Sequence, residues 1–213
     1  PKQGLAPKTF NKRWTCLGVL FKDAKGAGHY PKTEPSPTSG HLLKKRAVKR
    51  SVKSWLALTP EDLVTIFDPD VFLGWVKPHE FWVPLILLHH GPRIGEASQL
   101  STTDIRQVDG VWIVSVNHDA AGTTLKSEAS TRKVPLHPAL IELGLLVYVD
   151  EVRRLVGNGF LFPYLRPDPM NGMGKVPGAT LNGYMARRLD HPRKRAHSFR
   201  HTVNQRLRDG KVS

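Results

Sequence analysis

Five consecutive residues, His197-Ser198-Phe199-Arg200-His201, set two imidazoles and a guanidinium within one helical turn of each other. On a helix, positions i, i+3 and i+4 share a face, so His197, Arg200 and His201 would point the same way. A guanidinium beside an imidazole suits a phosphate: one neutralises and hydrogen-bonds it, the other donates or moves a proton. Two histidines at this spacing could instead hold a metal, but the zinc-hydrolase pattern needs Glu directly after the first His, and Ser198 stands there. Taken alone, the pentapeptide also reads as an ordinary solvated helix start. A second candidate is Arg93, which follows an almost wholly apolar run and a Gly91-Pro92 turn. An arginine is costly there unless something anionic lies close. Glu96, three residues on, could hold the guanidinium in place for a ligand or form a plain structural ion pair with it. Lys126 lies in a polar stretch between two strand candidates, where a lysine is ordinarily a solvated surface residue.

The elements that must position these groups can be read from spacing. Phe10, Trp14, Leu17 and Phe21 fall at helical intervals and predict a helix from Thr9, its N-cap, to about Gly26. A lone helix of this length cannot bury such a stripe, so it must dock on something. Residues 28–55 read as a basic linker, rich in Gly and Pro and then in Lys44-Lys45-Arg46, Lys49-Arg50 and Lys53. A compact domain begins near Leu56, where Thr59-Pro60-Glu61-Asp62 has the form of a capped helix start. Phe81 to His89 predicts a buried helix leading straight into the Arg93 turn. Asp109-Gly110 followed by Val111 to Val116 predicts a turn and a strand, and Lys133 to Leu136 a second strand. Pro138 opens an amphipathic helix that runs through Leu140 to Leu155 and stops at Gly157-Asn158-Gly159. A Gly/Pro-rich loop over 163–178 precedes two closing helices, near 180–190 and 198–208. Many helices around a small antiparallel sheet is an α+β architecture.

Charge adds a partner class. The 213 residues carry a net +14, and the excess sits at the two ends. Residues 1–55 hold 13 Lys/Arg against 2 Asp/Glu, residues 56–184 hold 10 against 14, and residues 185–213 hold 9 against 2. Such blocks suit a surface that tracks a phosphate backbone, or else a solvated tail. No apolar run approaches the roughly 20 residues that cross a bilayer, and no basic-then-apolar leader opens the chain. A single cysteine, Cys16, excludes an internal disulfide and fits a reducing, cytoplasmic setting.

Together the candidate residues resemble one family, the tyrosine recombinases (phage integrases). Residues 90–105, H-G-P-R-I-G-E-A-S-Q-L-S-T-T-D-I, look like that family's first catalytic-arginine motif. Residues 125–136, L-K-S-E-A-S-T-R-K-V-P-L, resemble its β-hairpin, in which a lysine precedes an Arg-x-Val-Pro-Leu strand. His197 to Thr202 is similar to its His-x-x-Arg-His-Thr motif, and Leu161-Phe162-Pro163 to the element before its last helices. The motifs occur in the family's order over about half of the chain. Residues 1–27 would then be the last helix of a core-binding domain cut short, 28–55 the linker along DNA, and 56–213 the catalytic domain.

The resemblance implies a site-specific DNA strand-exchange enzyme of a prophage or other mobile element. It would act on double-stranded DNA through a 3′-phosphotyrosyl link, self-associate on that DNA, and need no metal, nucleotide or other cofactor. Arg93 and Arg200 would stabilise the phosphorane-like transition state, Lys126 would protonate the leaving 5′-oxygen, and His197 would assist proton transfer. Glu96 and His201 would support them, and Lys44, Lys45, Arg46, Lys49, Arg50 and Lys53 would bind DNA. One departure matters: the family's nucleophilic tyrosine follows the second arginine, and none of Tyr30, Tyr148, Tyr164 and Tyr184 does. The chain is therefore expected to be a fragment without its nucleophile. Two other classes stay open: a non-catalytic DNA-binding module or degenerate integrase of the same fold, and a metal-dependent nuclease using His197 and His201.

Overall fold

A computed structural model describes residues 4–46, 48, 54–117 and 131–210. Lys49, Arg50, Lys53 and Lys126 lie outside the described residues. The chain divides into two compact units, residues 1–54 and 55–213.

In the first unit, α1 spans Pro7–Gly26. It starts earlier than the sequence suggests: Ala6, not Thr9, is the N-cap, because Pro7 at the first helical position has its φ already set and no N–H to lose. The aromatic stripe finds its partner downstream. The Trp14 indole N–H donates to the Thr38 carbonyl at 3.1 Å, Phe21 meets Tyr30 edge-on, and the Asn11 amide brackets the backbone of Leu43. The first part of the Gly/Pro-rich segment thus folds back on α1, although no residue of α1 is fully buried. Lys44, Lys45 and Arg46 are exposed.

The second unit is α+β, as expected. Helices α2 (Pro60–Ile66), α3 (Pro69–Phe72), α4 (Pro78–His90) and α5 (Ile94–Ser98) lead to a three-stranded sheet. Its strands are β1 (Ile105–Val108), β2 (Val111–Val116) and β3 (Arg132–Pro135). Helices α6 (Pro138–Glu142), α7 (Leu145–Val156), α8 (Lys175–Arg188) and α9 (Ala196–Asp209) follow. Thr59 caps α2 with the reciprocal Asp62 bonds foreseen for it. Residues Trp82 to Leu87 of α4 are buried, as its apolar run requires. The sheet is antiparallel in the order β1-β2-β3, with Ile105 opposite Val114 and Val116 opposite Arg132. Asp109 and Gly110 turn between the first two strands with φ +48° and +78°, the signs a tight hairpin demands.

Two expectations change. The helix expected through Leu140 to Leu155 is two, broken at Gly144, where φ is +90° and the chain leaves the right-handed helical region. The last two helices begin earlier than spacing suggested, α8 at Lys175 inside the Gly/Pro-rich stretch and α9 at Ala196. The core joins Ile86, Leu87, Ile105, Leu140, Leu145, Leu161, Phe162, Met185 and Phe199, and α9 packs along α4. That packing is what brings the two arginine motifs together.

Candidate phosphate site

Arg93 stands at the N-cap of α5, directly after the turn that ends α4. Its own backbone N–H donates to Glu96 Oε2 at 3.0 Å, and its Nη1 donates to Glu96 Oε1 at 2.6 Å. The Glu96 side chain is 4% exposed and that of Arg93 37%, so the acid is an interior anchor and the guanidinium reaches solvent. Burial pushes the Glu96 carboxyl up; the Arg93 N–H, the Arg93 guanidinium and a second guanidinium from Arg132 outweigh it and hold the group below its ordinary range. The acid therefore stays ionised. Arg132, the first residue of β3, reaches Glu96 Oε2 at 2.9 Å.

Arg200 arrives from α9. Its Nη1 donates to the Gly91 carbonyl at 2.8 Å, across 109 residues of sequence. Gly91 has φ +59°, and a Cβ built there would stand 2.9 Å from the Val203 side chain, so any other residue at this turn would be strained and would press on Val203. Burial, then the like charges of Arg93 and Arg132, lower the Arg200 pKa, and Glu96 works the other way. A guanidinium keeps its proton under such pressure, so the site concentrates positive potential. Its formal charge is three guanidiniums against one carboxylate.

His197 is exposed one turn before Arg200, and its ring meets that of His201 edge-on with centroids 5.1 Å apart. Both therefore lie on the arginine-bearing stretch of α9, as spacing predicts. Among the described residues no group of three or more His, Cys, Asp or Glu could hold a metal ion. The tyrosines are otherwise engaged: Tyr184 donates to Ile66 O and Tyr148 to Leu161 O, both at 2.7 Å, and burial pushes both phenols up. Tyr164 accepts the His79 backbone N–H, and Tyr30 donates to Pro35 O. Asp104 of the Asp-Ile signature is architectural; it accepts from Ser101 N–H at 2.8 Å and from the Asn117 amide at 2.7 Å, pinning the start of β1 to the end of β2.

Arg132 has no role assigned by the sequence motifs; it lies just ahead of the strand expected over Lys133 to Leu136, which in the structure spans Arg132–Pro135. Alternation held the signal: Arg132 and Val134 share a face, and Val134 packs inward.

Behind the site lies a histidine cluster. The rings of His89 and His137 stack tilted at 4.1 Å. His90 Nε2 sits 3.1 Å from Pro135 O and 3.3 Å from His137 N, so in either neutral tautomer it ties the end of α4 to the exit of β3. Burial first, then the neighbouring histidines, drop both His89 and His90 to about 4; Arg206 adds to the effect on His89 and Arg132 to that on His90. The unfolded chain therefore takes up protons between the ordinary histidine value and about pH 4 that the folded one refuses. Stability is whole above that window and is lost as pH falls through it. Melting temperatures measured from pH 7 to pH 4 should drop, and His89→Leu should flatten the drop. An equally steep drop in the variant would exclude His89 as a contributor.

No protein-family model and no curated protein matches the chain. Solved structures do. The XerH site-specific recombinase bound to difH substrate, in a pre-cleavage complex, is 19% identical with a TM-score of 0.61. The match covers 99% of this chain and 60% of that one. Its post-cleavage complex with palindromic difH is 17% identical with a TM-score of 0.58, over 99% and 59%. An integrase from mycobacterium phage Brujita also matches, at 14% identity and a TM-score of 0.47, over 99% and 62%. The chain spans about 60% of the length of each of these structures. The XerH likeness shows the fold: this chain is folded as a tyrosine recombinase.

Proposed function

We propose that the chain is the phosphate-activating part of a site-specific DNA strand-exchange enzyme, acting on a single phosphodiester held between Arg93 and Arg200. The observation that carries this reading is the convergence of those two guanidiniums, one set on buried Glu96 and the other on the Gly91 carbonyl of the same turn. Isolated positive groups would drift apart in water; here folding has already brought like charges together, which prepares the site for an anion. The XerH structures matching this fold hold DNA substrate, and duplex DNA is the proposed partner here.

The roles proposed for these residues are those the family resemblance implies. Arg93 and Arg200 bind the non-bridging oxygens and stabilise the charge that builds on phosphorus as a nucleophile adds. His197 holds or moves a proton beside them, with His201 supporting it, and Lys126 protonates the departing 5′-oxygen. The exposed Lys44, Lys45 and Arg46, together with Lys49, Arg50 and Lys53, contact the DNA backbone. Each of the tyrosines in this sequence lies ahead of Arg200, so the attacking phenol is proposed to come from outside these 213 residues. The basic stretch 41–53 acts as the linker along DNA, and several copies assemble on a recombination site of a prophage or other mobile element.

The religation half of this reaction can be tested without that phenol. In a nicked duplex whose 3′-phosphate carries a p-nitrophenyl ester, the facing 5′-hydroxyl attacks phosphorus, the P–O bond to nitrophenol breaks, and the strand is sealed. The ester stands in for a phosphotyrosyl link. A pool of such duplexes with randomised flanks removes the need to know the site, with sealed products read by sequencing. Sealing above background in the presence of EDTA is the expected result. Duplex binding with no sealing would favour the non-catalytic module, and chelator-sensitive cleavage of intact duplex the metal-dependent nuclease.

A further inference from the structure

We infer that Arg132 is a positioning residue for this site, acting through Glu96 rather than on the phosphate; the inference rests on the strand-exchange reading. Three observations converge on it. Arg132 Nη2 lies 2.9 Å from Glu96 Oε2, the oxygen that also accepts the Arg93 backbone N–H, while Oε1 accepts Arg93 Nη1. The carboxylate is thereby fixed at both oxygens, in plane and in rotation. Beneath it is only a void of about 10 Å³, of the order of one water, whose lining includes Ile86, Leu100 and Val134. At most about one water fits on that side of the carboxylate. Finally, β3 is tied to the α4 end at its other terminus as well, through Pro135 O and His90.

The electrostatic consequence is specific. A buried carboxylate facing Arg93 alone would cancel the charge that an incoming phosphate needs to meet. With Arg132 also on Glu96, one acid is shared by two guanidiniums, and Arg93 keeps a net attraction for an anion. Arg132 therefore does two things through one contact: it locks the rotamer of Glu96, and so of Arg93, and it offsets the negative charge of Glu96. A lysine could supply the charge but not the planar fork, and a methionine could fill the space with neither.

Arg132→Met should slow sealing of the nitrophenyl-ester duplex about tenfold to a hundredfold, the scale of a displaced catalytic group. The duplex concentration at half-maximal rate should change less than about threefold, since many other phosphate contacts hold the DNA. Arg132→Lys should recover part of the rate. In a Glu96→Gln background Arg132→Met should cost about twofold or less; an undiminished loss there would mean that Arg132 touches the phosphate itself, and would overturn the inference. A second readout stands apart from activity. Hydrogen exchange at Arg93 Nε–H, followed by NMR on the whole chain, should quicken in Arg132→Met and not in a surface control, Arg154→Met. Unchanged exchange would also overturn it. If the unsubstituted chain seals nothing while Arg93 loosens in the variant, the strand-exchange reading falls and the positioning role survives.

Discussion

Arg200→Ala is expected to lower the rate of strand sealing by about a hundredfold to a thousandfold, the usual loss when one preorganised donor to a developing oxyanion is removed. Arg200 is the arginine whose removal should cost most, because its other donors are left to the anion once Nη1 is on the Gly91 carbonyl. Arg93→Ala should follow closely. In both variants duplex affinity should move only a few-fold, because sequence-independent backbone contacts carry most of it. Arg200→Lys should recover little: one ammonium cannot hold the Gly91 carbonyl and present a forked pair to phosphate at once. Melting temperature should be recorded alongside, since the Gly91 carbonyl loses a partner. A rate within threefold of the unsubstituted chain, in a variant that still binds duplex, would sink the assignment of Arg200.

Phe199→Ala should be the most destabilising single change near the site, costing about 3–5 kcal/mol. Phe199 has no exposed surface and meets Phe67 edge-on, with centroids 6.1 Å apart. It is the largest buried side chain of α9, set between the exposed His197 and the half-buried Arg200. Against a typical domain stability of about 5–15 kcal/mol, that loss threatens folding at ordinary temperature. Urea denaturation of Phe199→Ala beside Phe199→Leu would measure it, with the leucine losing much less. A cost below about 1 kcal/mol for alanine would mean that α9 is held by its polar contacts, such as Thr202 to Leu58, and not by this ring.

What the sequence made legible follows the strength of its local signals. The apolar run of α4, the Asp109-Gly110 turn and the Thr59 capping box each rest on one dominant local cause, and each stands where spacing put it. Strand β1 had no such cause. Ile-Arg-Gln-Val is too short and too polar to announce a strand, and only pairing with β2 makes it one. The helix over Leu140 to Leu155 kept an unbroken apolar period, and Gly144 interrupts it because the chain turns there, which periodicity does not register. The site divided in the same way. Arg93, Glu96 and Arg200 could be singled out because they sit in recognisable motifs. Arg132 was in view but unassigned, since its meaning depends on a carboxylate 36 residues away in sequence.

The turn at Gly91 has a consequence for how freely that position can vary. Its main chain both lies against the Val203 side chain and receives Arg200 Nη1, so the gap between the two arginine-bearing segments depends on residue 91 carrying no side chain. Residue 91 is thus the place where even a single added methyl group would press one arginine-bearing segment away from the other.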